Sequence, residues 1–224
     1  RDGTVTGVQT CALPIYLAVD EVNVVVVSTE EFSRRNQGCS VDEGIAAAVD
    51  IVRDARAAGV FATVTVAASF GCPFSGEVDP AHIGRILAQV AEAEPSEIAI
   101  ADTIGVGVPA QVRTLAEVAT ANAPGVPQRW HFHNTRNTGY ANLMTALERG
   151  AGIIDASIGG LGGCPFAPRA TGNIATEDVH YLLHREGIDT GLDHDRLALL
   201  VEWLAERVPD KITGQLARAG WFGA

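Results

Sequence analysis

Residues 22–27, VNVVVV, are an apolar run of β-branched valines apart from Asn23. Such a run is typical of a strand that is buried on both faces of a parallel sheet. A helix pattern follows, in which Ser40 and Glu43 form a capping box ahead of apolar residues at helical spacing. The run VFATVTVA at residues 60–67 comes next, with no hairpin signal between the two strands. These features predict two parallel strands joined by a helix.

The alternation of strand and helix continues along the chain. Three more strands are predicted: one at residues 97–101, one that ends with residues 130–133, and one at residues 152–158. Helices are predicted to begin at Pro80 and Pro109 and to cover residues 141–149, 176–185 and 193–208, the last of them packing outside the sheet. About five strand–helix units in series leave two architectures, a doubly wound sheet and a (β/α)8 barrel. No G-x-G-x-x-G motif follows the first strand, which weakens the dinucleotide-binding form of the doubly wound sheet.

Composition restricts the class of protein. A chain of 224 residues with 47% hydrophobic and 19% charged residues is typical of one soluble globular domain. No apolar run reaches the roughly 20 residues of a membrane-spanning helix, so we expect no membrane association. The net charge of −11, without a basic stripe, argues against a nucleic-acid partner. The four cysteines have no C-x-x-C spacing, which fits free thiols and a bacterial cytoplasmic location.

The N-terminal segment does not resemble the rest of the chain. Residues 5–15 (VTGVQTCALPI) resemble the translation of a sequencing-library adapter, although a short native strand and loop is the alternative. We therefore expect residues 1–16 to be non-native and to contribute nothing to the core, and residues 17–224 to form the domain. The native N-terminus and any targeting signal are then not visible.

A pair of histidines follows the fourth predicted strand. His131 and His133 lie two residues apart, so their imidazoles point to the same face of the sheet. Two neutral imidazoles can hold a divalent cation, and Asn173 is a candidate to add a carbonyl oxygen. The alternative is a histidine pair that only hydrogen-bonds at the mouth of the barrel. Asp102, at the end of the neighbouring strand, favours the metal-binding interpretation.

A glycine-rich stretch, GGLGG at residues 159–163, follows the fifth predicted strand. Its backbone N–H groups are able to cradle a phosphate, because no Cβ atom blocks the approach of an anion. It is equally compatible with a hinge for a mobile loop that carries Cys164. Most free cysteines are inert packing residues, so both a catalytic and a structural role stay open for Cys164 at this point.

Four motifs together resemble one enzyme family. The segment SIGGLGGCPFAPRATGNIATED at residues 157–178 resembles the signature region of the 3-hydroxy-3-methylglutaryl-CoA lyases. The motifs FGCPF at residues 70–74, ADTIGVG at residues 101–107 and the H-x-H pair occur in the order and spacing of that family. The resemblance covers about residues 22–191. Related Claisen-type synthases share H-x-H but carry a different sequence where GLGGCP stands here.

The resemblance implies a fold and a set of site residues. The fold is α/β, a partial (β/α)8 TIM barrel with about the last five units plus C-terminal helices, and residues 17–224 are the C-terminal part of a lyase domain. The metal, Mg²⁺ or Mn²⁺, is held by His131, His133 and Asn173. Cys164 and His131 are the catalytic residues, and Asp102 and Glu177 bind substrate. The family's remaining aspartate ligand and its catalytic arginine and glutamate lie on earlier strands, and we assign none of them here.

The implied reaction is a retro-Claisen cleavage of an acyl-CoA substrate. A 3-hydroxyacyl-CoA gives acetyl-CoA and a keto acid, which is acetoacetate for the family's usual substrate in leucine degradation. The resemblance also allows a homodimer of the full-length protein. Arg136 departs from the better-known members, which usually carry no arginine there, so we expect it to contact substrate. This departure leaves open a lyase for a different 3-hydroxyacyl-CoA, and a third reading is an inactive metal-binding fragment.

Overall fold

The computed structural model describes residues 19–163 and 172–222, so Cys164 and residues 1–16 lie outside the described residues. The strands are β1 (Glu21–Val27), β2 (Phe61–Ala67), β3 (Gly71–Cys72), β4 (Gly76–Glu77), β5 (Glu97–Asp102), β6 (Gln128–Phe132) and β7 (Ile153–Asp155). The helices are α1 (Glu30–Gln37), α2 (Val41–Ala57), α3 (Pro80–Ala91), α4 (Pro109–Asn122), α5 (Gly139–Glu148), α6 (Thr176–Arg185), α7 (His194–Arg207) and α8 (Leu216–Ala219). Short 3₁₀ turns cover Ile158–Gly160 and Pro209–Lys211.

The main sheet decides between the two predicted architectures. Its five strands are parallel and lie in the order β1-β2-β5-β6-β7, which is also their order along the chain. A doubly wound sheet reverses its strand order at a switch point, whereas a barrel adds each new strand beside the last. The described sheet is therefore a segment of a barrel wall, with helices on its outer side.

The hydrophobic core lies between the sheet and these helices. Alternate strand residues face the helices and are buried, including Val66, Ile100 and Phe132. Phe70, in the loop after β2, packs against Trp130 and Phe132 with ring centroids 6.4 Å and 6.1 Å away. Apolar burial of this kind is the main favourable term in folding, so the outer face of the sheet holds the domain together.

The inner face of the sheet corrects one expectation. We predicted β1 to be buried on both sides, but Val25 is 40% exposed and Asn23 is also exposed. Because strand side chains alternate, these residues face the inside of the partial barrel. In the described part of the chain this face is polar: Thr65 donates to Asn23 Oδ1 (2.8 Å) and Thr63 donates to Glu21 Oε1 (3.0 Å).

Local structure agrees with most, but not all, of the other expectations. The predicted capping box of Ser40 and Glu43 opens α2, and α6 has the predicted limits. The structure differs from the predictions in three places. Helix α1 and the antiparallel pair β3–β4 were not predicted, and the strand predicted at residues 152–158 ends at Asp155. The chain turns there into the 3₁₀ segment, in which Gly159 has a left-handed φ of +71°.

The C-terminal helix α7 packs as predicted, outside the sheet. It buries Leu197 and Val201, while Leu199 and Trp203 on its other side are 66% and 52% exposed. Within residues 19–163 and 172–222, no helix is both long and apolar enough to cross a membrane.

A pair of leucine substitutions tests this division between core and surface. Leu115 on α4 is 1% exposed, so Leu115→Ala should lower the free energy of unfolding by about 2–5 kcal/mol through lost burial and a cavity. Leu199→Ala, the control on α7, should change it by less than about 0.5 kcal/mol. Urea denaturation of both variants measures the difference, and equal losses would contradict the described packing.

Candidate active site

The predicted site residues follow the carboxyl ends of parallel strands. Asp102 ends β5, His131 lies in β6 and His133 directly follows it. Asn173 lies in the segment that leads to α6, and Glu177 is in the first turn of that helix. Because parallel strands all end at one edge of the sheet, the chain direction brings these positions to the same side of the barrel wall.

The structure brings His131, His133 and Asn173 together. The two imidazole centroids are 5.3 Å apart, and His133 forms an isolated antiparallel bridge with Asn173. Backbone hydrogen bonds on either side of this bridge join the same two segments. Asn134 N–H donates to Gly172 O (3.2 Å), and Ile174 N–H donates to Phe132 O (3.2 Å). The segment of Asn173 therefore lies alongside the end of β6, as the predicted metal site requires.

Two buried polar atoms at this place have no hydrogen-bond partner. They are Nδ1 of His133 and Oδ1 of Asn173. The amide of Asn173 is nevertheless oriented, because its Nδ2 donates to Leu161 O at 2.8 Å. Buried polar atoms in native proteins nearly always have partners, so two such atoms on bridged residues fit a site for a ligand such as a cation.

Burial also sets the charge of the imidazole. Burial, together with repulsion from the nearby His131, lowers the pKa of His133 to about 4. His133 is therefore neutral near pH 7, which is the form of histidine that binds a metal. Among the described residues, no group of three or more His, Cys, Asp or Glu side chains is placed to hold a metal, so the candidate site depends on the Asn173 amide.

Asp102 is buried and organises the loop after β5. Its carboxylate accepts the backbone N–H groups of Val106 (3.0 Å) and Gly107 (2.9 Å). Burial raises the pKa of Asp102, and these hydrogen bonds oppose the rise. A Cβ at Gly107 would lie 2.7 Å from the Phe70 ring and 3.0 Å from Asp102 Oδ2, so only glycine allows this close approach. Contact of Asp102 with substrate stays a prediction.

Glu177 is buried beside the glycine-rich stretch. Its Oε2 accepts the N–H of Gly159 at 2.9 Å, while its Oε1 has no partner and lies against Gly214. Burial raises the pKa of Glu177. The carboxylate thus fixes the first turn of the chain that leads toward Cys164, which lies outside the described residues, and its contact with substrate stays a prediction.

Arg136 connects two loops at the same edge. Its Nη1 donates to the carbonyl oxygens of Ile104 and Gly105, both at 3.0 Å. The loops after β5 and β6 are thereby held together. The predicted contact of Arg136 with substrate is not tested by this arrangement.

Comparison of the sequence with protein-family models shows the family of the chain. The model of the HMGL-like family matches residues 9–203, which is most of the chain. The chain belongs to the HMGL-like family. This confirms the family resemblance that the sequence motifs indicated. Curated relatives of the chain are named as lyases.

Similar proteins carry two lyase names. The chain is 37% identical over 199 residues to (R)-citramalyl-CoA lyase of Chloroflexus aurantiacus, covering 89% of this chain and 63% of that protein. It is 39% identical over 178 residues to hydroxymethylglutaryl-CoA lyase of Pseudomonas mevalonii, covering 80% and 59%. A solved HMG-CoA lyase from Acinetobacter baumannii, in complex with coenzyme A and 3-methylmalate, has a TM-score of 0.90 at 32% identity and covers 97% and 71%.

These HMGL-like relatives confirm the fold and extend beyond the chain. The HMG-CoA lyase of Bacillus subtilis has a TM-score of 0.87 at 32% identity, covering 93% of this chain and 70% of that structure. The described sheet is accordingly a partial TIM barrel. The chain spans about 60% of the length of the curated relatives described above. Membership of the family supports a divalent metal as cofactor.

The inner face of this HMGL-like sheet holds charged residues that sequence reasoning missed. Arg129 Nε donates to Glu97 Oε2 at 2.7 Å, and its Nη1 donates to Asp155 Oδ1 at 3.3 Å. Asp155 Oδ2 in turn lies 3.4 Å from His131 Nδ1. Alternation along β6 places residues 129 and 131 on one face, but the partner on β7 depends on a register that the sequence does not show.

Proposed function

We propose that this chain is the C-terminal part of a metal-dependent carbon–carbon lyase that cleaves a 3-hydroxyacyl-CoA. In this proposal residues 17–224 belong to the lyase domain and residues 1–16 do not. The substrate is an acyl-CoA, and 3-hydroxy-3-methylglutaryl-CoA is the first candidate because relatives with that name match most of the chain.

The observation that carries the proposal is the pair of buried atoms without partners, His133 Nδ1 and Asn173 Oδ1, on residues joined by a backbone bridge. A cation held by His131, His133 and Asn173 would satisfy both atoms. A site of imidazole and amide oxygen suits a hard or borderline cation, and we propose Mg²⁺ or Mn²⁺. When bound, the cation supplies Lewis-acid stabilisation of negative charge on oxygen.

The chemistry left to the protein is the movement of two protons. A base removes the proton of the C3 hydroxyl, the C2–C3 bond breaks, and C3 becomes the carbonyl carbon of the keto acid. The electron pair of that bond passes to the thioester as an enolate, which takes a proton at C2 and becomes acetyl-CoA. We propose Cys164, or His131 beside the proposed cation, for one of these transfers, since a thiol and an imidazole can both act as general acid or base.

The other predicted residues shape the space around the reacting carbon atoms. Asp102 and Glu177 each hold the loop at the end of a strand through backbone N–H groups, which supports a role in forming the acyl pocket. Arg136 holds the loop after β5 by its carbonyl oxygens. We propose that these three residues determine where the acyl group lies.

A second candidate substrate is supported by the match to (R)-citramalyl-CoA lyase, which has a similar identity and coverage. The loop at residues 134–136, with its arginine, is the feature by which this chain departs from the hydroxymethylglutaryl-CoA lyase pattern. An assay with both acyl-CoA thioesters, on a protein whose upstream residues are supplied from a close relative, separates the two candidates. Cleavage of neither would contradict the proposed lyase activity.

Metal binding by the chain itself can be tested by substitution. His133→Ala and Asn173→Ala each remove one proposed ligand, so each should weaken Mn²⁺ binding at least about tenfold. Titration followed by electron paramagnetic resonance measures the free Mn²⁺ directly. His184→Ala is the matched control, because this exposed histidine lies on the last turn of α6 among aromatic side chains. Variants that bind Mn²⁺ as the parent chain does would contradict the proposed ligand set.

The role of Cys164 needs a protein completed with upstream residues of a close relative. Cys164→Ser should keep metal and acyl-CoA binding and lower kcat by about 10²–10⁴-fold, as expected for loss of one positioned acid or base. Cys39→Ser is the control, because its Sγ lies 3.9 Å from Ser33 Oγ near α1. A serine variant with nearly full kcat would show that Cys164 is not the proton-transfer group.

A further inference from the structure

We propose that Asp155 is a positioning residue for His131, and that Arg129 and Glu97 hold Asp155 in place for this task. The inference rests on the proposed function, because His131 is a proposed metal ligand. It adds three inner-face residues, from three neighbouring strands, to the proposed site.

The contacts form a continuous series across the inner face of the sheet. Glu97 on β5 accepts from Arg129 Nε on β6 (2.7 Å), and Arg129 Nη1 donates to Asp155 Oδ1 on β7 (3.3 Å). Asp155 Oδ2 lies 3.4 Å from His131 Nδ1. The parallel register pairs Arg129 with Ile153 and His131 with Asp155, so the backbone itself brings the carboxylate beside the imidazole.

Arg129, at the centre of this series of contacts, is held by several partners. Its side chain is 20% exposed, and the side chain of Glu97 is only 10% exposed. Glu21 on β1 adds a more distant contact, 3.5 Å from Arg129 Nη2. Three carboxylates therefore surround one guanidinium, which leaves Asp155 a fixed partner at Oδ1 and turns its Oδ2 toward His131.

The arrangement selects one tautomer of His131. A carboxylate favours a proton on the ring nitrogen that faces it, because a lone pair at that place would meet negative charge. The 3.4 Å separation is longer than an ordinary hydrogen bond, but the electrostatic preference does not require one. With the proton on Nδ1, the lone pair lies on Nε2 and is available to a cation. Carboxylates commonly orient metal-binding histidines in this way.

The two histidines are thus oriented by different means. Nδ1 of His133 is buried without a partner, and its position is set by the backbone bridge to Asn173. The backbone of His131 is paired with β5 and β7, but 27% of its side chain is accessible. A partly exposed ring has more freedom, so it has more to gain from a neighbour that fixes its orientation.

The substitution Asp155→Asn tests the inference, because Arg129 dictates how the new amide lies. Arg129 only donates, so the amide oxygen should stay on Arg129 and the NH₂ group should face His131. This NH₂ group needs an acceptor, which moves the imidazole proton from Nδ1 to Nε2. Tautomers are measured in the full metal-free chain, labelled with ¹⁵N-histidine, by long-range ¹H–¹⁵N NMR at pH 8. A His131→Gln spectrum identifies the signals of His131.

The expected result is Nδ1–H in the parent chain, Nε2–H in the Asp155→Asn variant, and a Kd for Mn²⁺ that rises about 10–100-fold in the variant. The signals of His133 should stay unchanged. Glu21→Gln is the matched control, since Glu21 contacts Arg129 but not His131, and it should alter neither the tautomer nor the Kd.

Three results would overturn the inference: Nε2–H in the parent chain, an unchanged tautomer in the variant, or loss of folded signals in the variant alone. Loss of folded signals would show that Asp155 is needed for folding and not for the orientation of His131. A parent chain that binds no Mn²⁺ contradicts the metal site of the proposed function. The tautomers are measured without metal, so they test the role of Asp155 whether or not the chain binds Mn²⁺.

Discussion

The antiparallel bridge between His133 and Asn173 is the contact on which the site depends. It joins two residues that each carry a buried side-chain atom without a hydrogen-bond partner, the imidazole Nδ1 of His133 and the amide Oδ1 of Asn173. A buried polar atom without a hydrogen-bond partner costs free energy. A cation bound at the proposed site would remove that cost and would thereby link stability to function.

The two faces of the sheet have different roles in the HMGL-like domain. The outer face carries apolar residues such as Ile100 and packs on the helices, which provides the favourable energy of folding. The inner face carries threonines, carboxylates and Arg129, and its polar residues satisfy one another across neighbouring strands. His131 lies on the inner face, and packing of the outer face keeps its strand in register. This division lets His131, a proposed ligand, lie outside the hydrophobic core.

Sequence reasoning predicted the strand–helix series and the H-x-H and Asn173 set, because these features depend on local patterns and on family motifs. It missed α1, since Phe32 is the only apolar residue in EEFSRRNQ and leaves little periodicity. It misjudged β1, because a run of valines hides the alternation that exposes Val25. It did not find Asp155, because a contact between β6 and β7 depends on register and not on sequence spacing.

His131, His133 and Asn173 are the proposed ligands of one cation. A crystal of the chain grown or soaked with Mn²⁺, with anomalous diffraction collected for manganese, shows whether they share it. We predict one anomalous peak about 2.0–2.3 Å from an imidazole nitrogen of each histidine and from Oδ1 of Asn173. A peak elsewhere, or side chains that diverge in the presence of Mn²⁺, would contradict this prediction.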